Sequence, residues 1–233
     1  GIAFQTCFGI GIICGIILTL VLSTLNIAIL FAVISGMLWF YSSSYKRIFL
    51  LGNLVISICS FLSVFSVGYL AAISLENKYG ALIYNTSILS EIYGWLAAFG
   101  LFAFLFTFIR EVVKDIEDIE GDREMECHSL PIVLGVNTTK IVLTVVTLIS
   151  TLVVGYFCFY LNPLATDNIS TKYYIFGILI PCIILIFWIG KAEKRRDWRQ
   201  ISTFVKFIML IGTLYAGIVG YLFVVNFPYI LNA

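Results

Sequence analysis

The 233-residue sequence predicts an all-α fold, a polytopic membrane bundle of seven transmembrane helices. Three observations predict it. Hydrophobic residues make up 61% of the chain and Asp, Glu, Lys and Arg only 12%, against about 25% charged residues in an ordinary soluble domain. The mean hydropathy is +1.05, too high for a surface that faces water all round. The apolar residues fall in continuous runs rich in Leu, Ile and Phe, near the 17–25 residues that carry a helix through a hydrocarbon core. They do not alternate as barrel strands do.

Taken in order, the runs cover 2–22, 26–41, 50–73, 92–110, 139–161, 173–190 and 203–225. The first holds Gly9, Gly11 and Gly15 and the last Gly212, Gly217 and Gly220, small residues that let helices approach closely in lipid. The connections set the orientation, because Lys and Arg gather on the cytoplasmic side. Alternate loops hold 12 of the 14 bases, including Lys46, Arg47, Arg110, Lys114, Arg123, Lys140 and the Lys191–Arg199 run, while the opposite loops hold only Lys78 and Lys172. The chain start is then inside and its end outside. The basic Lys191–Arg199 run reads as an anchor at the anionic inner leaflet.

The whole chain, 1–233, reads as a single transmembrane domain. It begins at Gly1 within an apolar run, with no charged leader region, so it is not a signal peptide and reads as N-terminally truncated. The six cysteines lie mostly inside apolar runs and show no zinc spacing, so they count as small hydrophobes. The net charge of +1 leaves no basic surface for nucleic acid.

That near-neutral total hides a local imbalance. Residues 111–138 form the one long cytoplasmic connection, and eight acids against two bases give it a charge of −6. If the fourth span continues as a helix, Glu111, Asp115, Asp118 and Asp122 recur at i, i+4, i+7 and i+11 and share one face. Like charges at that spacing repel. A divalent cation offsets the repulsion, and Mg²⁺ takes hard oxygen ligands, one or two carboxylates together with phosphate oxygens and water. A solvated acidic helix is the plain alternative, but Asp at 115, 118 and 122 is a poorer helix former than Glu, and chelation explains its use. On the same side, Tyr41-Ser-Ser-Ser-Tyr45-Lys46-Arg47 sets two adjacent cations among hydroxyls, suited to an anionic group or to simple anchoring. His128, the only histidine, reads as a solvated loop residue.

The segment Lys114-Asp115-Ile-Glu-Asp118-Ile-Glu-Gly121-Asp122, followed by Ser129-Leu-Pro131-Ile-Val-Leu-Gly135, resembles the second Asp-rich motif of UbiA-type intramembrane prenyltransferases. The Tyr41-to-Arg47 loop resembles their tyrosine/lysine motif. The resemblance covers essentially the whole chain. Within the superfamily, the string REVVKDIEDIEGD is most similar to that of digeranylgeranylglyceryl phosphate synthases; quinone-forming relatives carry similar strings. Family members have nine helices with a first Asp-rich motif after the second, so the seven here match the third to ninth and nothing matches the first motif. Many relatives have Gly, Lys and Thr where this chain has Glu126, His128 and Ser129.

The resemblance implies Mg²⁺-dependent transfer of a prenyl group from an allylic diphosphate to a lipid-soluble acceptor. Asp115, Asp118 and Asp122 would hold the metal and act in catalysis, with 111–138 as the catalytic loop. Tyr41, Lys46, Arg47, Arg110 and Lys114 would bind the diphosphate. The acceptor would be geranylgeranylglyceryl phosphate, giving an ether, or else an aromatic quinone precursor. A transporter would place charges inside spans, and the run interiors contain none; an inactive membrane partner is the other reading of a chain without the first motif.

Overall fold

The computed structural model describes residues 2–22, 24–43, 48–85, 88–161 and 168–226. Among them the regular structure is helical throughout, with no strand. The order is α1 (Ile2–Leu22), α2 (Leu25–Ser43), α3 (Leu51–Tyr79), a 3₁₀ segment (Gly80–Asn85), α4 (Ile88–Glu117), α5 (Ile119–Glu124), α6 (Leu130–Leu134) and α7 (Val136–Tyr156). A π turn (Phe157–Leu161), α8 (Asn168–Tyr174), a second π turn (Ile175–Leu179), α9 (Ile180–Lys191) and α10 (Arg195–Asn226) complete it. Six stretches are long and apolar enough to cross a membrane, and α1 contributes a shorter apolar helix, Phe8–Leu22. All seven expected runs are therefore helical. Observed helices outrun the apolar cores: α4 ends at Glu117 rather than at 110, and α10 starts at Arg195 rather than at 203. Charged turns continue a helix into water at no hydrogen-bonding cost, so hydropathy underestimates helix length.

The chain divides into two compact units, Gly1–Phe104 and Leu105–Ala233. In the first, small residues set the helix spacing. A Cβ on Gly15 would stand 2.8 Å from the Phe31 side chain, and one on Gly68 would overlap the Leu96 side chain. The α1 backbone at Gly15 packs on the root of the Phe31 side chain of α2, and the α3 backbone at Gly68 receives the Leu96 side chain of α4. Asn77 donates to the Leu22 carbonyl at 3.4 Å and Asn26 to the Tyr69 hydroxyl at 3.3 Å. Gly217 and Gly220, expected to serve packing, face open space.

In the second unit the core is an inward stripe from each helix. Phe106, Ile109, Val113 and Ile116 of α4 recur at helical spacing and are buried, as are Ile201, Val205 and Ile208 of α10, Leu143 of α7 and Leu185 and Ile189 of α9. Outward positions such as Leu152, Phe187, Leu210 and Leu214 are exposed and apolar, as lipid contact requires. Pro181 accounts for the second π turn: it lacks an N–H and its ring crowds the carbonyl four residues earlier, so the preceding turn opens. Tyr174 lies against Gly155 and donates to the Thr151 carbonyl at 2.9 Å, binding α8 to α7.

Candidate functional site

The acidic segment leaves the fourth span as helix and breaks once, at Asp118. Asp118 has φ −100° and ψ 10°, which separates α4 from α5. Yet the Asp118 N–H bonds to the Lys114 carbonyl at 2.9 Å and the Asp122 N–H to the Asp118 carbonyl at 3.0 Å. Those two bonds flank the kink, which leaves Asp115 on α4, Asp118 at the break and Asp122 on α5. Asp115, Asp118 and Asp122 are all half-buried, while Lys114 is exposed. Ile109, Val112, Val113 and Ile116 bury the opposite face, so apolar packing orients the carboxylates outward.

The first member of the expected stripe behaves differently. Glu111 is 7% exposed and accepts a hydrogen bond from Arg110 Nη1 at 2.6 Å. A carboxylate that far from water needs a charged partner, and its neighbour supplies one. Arg110, expected to serve a diphosphate, is engaged in that pair.

The segment ends in a defined cap. Beyond α5, the Cys127 N–H reaches the Asp122 carbonyl at 2.9 Å and the Glu126 N–H reaches the Arg123 carbonyl at 3.2 Å. Those two bonds make a Schellman motif with Glu126 at the position that wants a left-handed backbone, and Glu126 has φ 54°. Cys127 turns inward and is buried. The carbonyl of Asp122 is thereby fixed in the cap that positions its side chain. Next, Ser129 precedes the Pro131-containing α6, and Gly135 (φ 81°) starts α7, where its carbonyl accepts both the N–H and the hydroxyl of Thr139.

The first turn of α10 completes the arrangement, and hydropathy did not reveal it. Arg195 Nη2 lies 3.3 Å from Asp118 Oδ1, and Arg199 Nε lies 3.0 Å from Glu117 Oε1. Two members of the expected leaflet anchor are therefore partners of the acidic segment. Asp197 holds this turn: its carboxylate accepts the backbone N–H groups of Lys194 at 3.0 Å and Glu193 at 3.1 Å, the return half of a capping box. Those two N–H groups keep the Asp197 carboxyl below its usual range. Trp198 is 2% exposed, with Lys140 Nζ 5.8 Å from its ring centroid, a cation–π contact to α7.

Tyr41 lies half-buried near the end of α2. Lys46 and Arg47 lie outside the described residues. Among the described residues, no three acidic, histidine or cysteine side chains close on a common point to cage a metal. An all-protein cage is not what Mg²⁺ demands, since it is usually held by one or two carboxylates with phosphate oxygens and water. Half-buried aspartates at and on either side of the α4–α5 break fit that donor set.

Compared with known proteins, the chain matches the UbiA prenyltransferase family over residues 2–212. It is 33% identical over 116 residues to the digeranylgeranylglyceryl phosphate synthase of Methanosphaera stadtmanae, covering 48% of this chain and 40% of that protein. Identity to the synthase of the same name from Sulfolobus acidocaldarius is 30% over 184 residues, 79% of this chain and 57% of the other. For Saccharolobus solfataricus it is 30% over 212 residues, 87% and 66%. The chain thus spans from two fifths to about two thirds of the length of these curated relatives. No solved structure matches.

Proposed function

This chain belongs to the UbiA prenyltransferase family, and from that premise we propose that it transfers a prenyl group from an allylic diphosphate to a lipid-soluble acceptor, with Mg²⁺ as cofactor. The donor is geranylgeranyl diphosphate and the acceptor geranylgeranylglyceryl phosphate, the reading supported by the relatives' shared name. One observation carries it furthest. A membrane-spanning helix leads, across one break at Asp118, into a segment with three half-buried aspartates. It supports a reading in which hard anionic ligands stand at the bilayer boundary, where an isoprenoid diphosphate keeps its tail in lipid and its head in water.

The reaction breaks the allylic C–O bond, with the electron pair leaving on diphosphate, and joins the allylic carbon to the acceptor hydroxyl oxygen, which gives up its proton. A divalent cation would supply Lewis-acid neutralisation of the leaving group. Asp115, Asp118 and Asp122 would hold it. Lys114, exposed beside them, and Lys46 and Arg47 would offer positive charge to the diphosphate as the bond breaks, and Tyr41 would orient it. Arg110 acts through Glu111, fixing the end of the span from which Lys114 and Asp115 project. The apolar helices take the isoprenoid chain, and the charged loops lie on the cytoplasmic side.

Incubating the full-length protein with Mg²⁺, radiolabelled prenyl diphosphates of several lengths and a panel of acceptors tests the assignment. Label from geranylgeranyl diphosphate should enter an acid-stable ether of geranylgeranylglyceryl phosphate. Label entering an aromatic quinone precursor instead would replace the acceptor, and no transfer to any acceptor would remove the enzymatic reading.

A further inference from the structure

The two arginines that α10 presents to the acidic segment are not equivalent. Arg199 pairs with Glu117, whose side chain is only 14% exposed and which lies outside the aspartate row. That pair joins α10 to the end of α4 at a less exposed carboxylate, although Arg199 itself is 70% exposed. Arg195 pairs with Asp118, a member of the row, and both side chains are open to solvent at 62% and 44%. Exposed pairs of this kind are weak, so a divalent cation outcompetes the guanidinium for the carboxylate.

We propose that Arg195 is the resident counter-ion of Asp118, displaced when the metal binds and then free to take the diphosphate that the metal carries. The inference rests on the aspartates being the metal ligands. Two features prepare Arg195 for the exchange. Its helix turn is held independently of Asp118 by the Asp197 cap and by buried Trp198, so losing one pair does not unfold the turn. Its side chain also reaches the carboxylate that would carry the metal, and a guanidinium matches phosphate oxygens in bidentate geometry. Without metal the pair keeps Asp118 from facing Asp115 and Asp122 as a bare charge. With metal, the same cation moves to where negative charge builds up on the leaving group.

The test is the binding of Mn²⁺, used as a paramagnetic substitute for Mg²⁺, to the full-length protein in detergent without substrate, followed by electron paramagnetic resonance. It is run on wild type, Arg195→Gln and Asp118→Asn. Removing the competitor should tighten Mn²⁺ binding in Arg195→Gln by roughly two- to fivefold, the range set by exposed ion pairs. Steady-state assays on the same variant should show kcat/KM for the prenyl diphosphate down about tenfold, the scale of one lost hydrogen bond to a charged group. Arg195→Lys, which keeps the charge, should return the Mn²⁺ affinity to the wild-type value. If Asp118→Asn weakens Mn²⁺ binding but Arg195→Gln leaves it unchanged or weaker, the exchange is wrong and the aspartate site stands. If Asp118→Asn binds Mn²⁺ as wild type does, the aspartate site itself fails and the exchange with it.

Discussion

Glu126 gives a prediction whose size follows from the backbone alone. It occupies the left-handed position of the Schellman cap that ends α5, with φ 54°, and its side chain is exposed. A non-glycine residue in that conformation costs about 1–2 kcal/mol. Glycine removes the cost but loses about 0.5–1 kcal/mol more backbone entropy on folding. Glu126→Gly should therefore stabilise by about 0.5–1 kcal/mol, and for a chain of this size that is about 1–4 °C in Tm. The assay is thermal unfolding in detergent, joined to amide exchange of residues 118–129, where protection should rise. Glu126→Ala keeps the left-handed strain, and Glu126→Gln keeps it while relieving repulsion in the acidic segment. A gain in glycine no larger than in alanine or glutamine would show that charge, not backbone geometry, governs the cap.

Other outcomes follow from single contacts. Gly155→Ala would put a Cβ 2.5 Å from the Tyr174 hydroxyl and should destabilise by about 1–3 kcal/mol; adding Tyr174→Phe should recover part of it, measured as Tm of single and double variants. Asp197→Ala should raise amide exchange in the first turn of α10 by removing its cap. Because the folded-state pKa of Asp197 is depressed, the cap holds above the ordinary carboxylate pKa and is lost as pH falls through the folded value, so wild type should show the same fraying only in acid. Arg199→Ala should cost about 0.5–1 kcal/mol, less at high salt, since Arg199 is 70% exposed and such pairs are screened.

The spans were legible because lipid solvent writes itself into composition: seven continuous apolar runs became helices at the expected places. Helix ends were not, since Glu117 and Arg195 extend helices beyond the apolar cores and hydropathy is silent about charged turns. The i, i+4, i+7 and i+11 spacing depends on helical register, which one helix keeps only as far as Glu117, before the break at Asp118. Glu111 shares α4 with Asp115 as periodicity has it, but periodicity is silent about its burial and its pairing with Arg110. The pairing of Arg195 with Asp118 and of Arg199 with Glu117 spans 77 and 82 residues. No local pattern encodes contacts at such separation, and a basic run beside a membrane reads as an anchor. The Asp197 cap was readable in principle, from an acid at the third helical position, but only once the helix start was known.

The most direct test of the central proposal is the metal dependence of diphosphate release from a labelled allylic diphosphate by the full-length protein, wild type against Asp115→Asn, Asp118→Asn and Asp122→Asn, each shown to be folded by its Tm. The row of aspartates predicts Mg²⁺-dependent release in wild type and a loss of at least about 10²-fold, the scale on which one electrostatic group at a reacting centre acts, in the variants. Wild-type rates in all three, or release that is unchanged when Mg²⁺ is chelated, would contradict it.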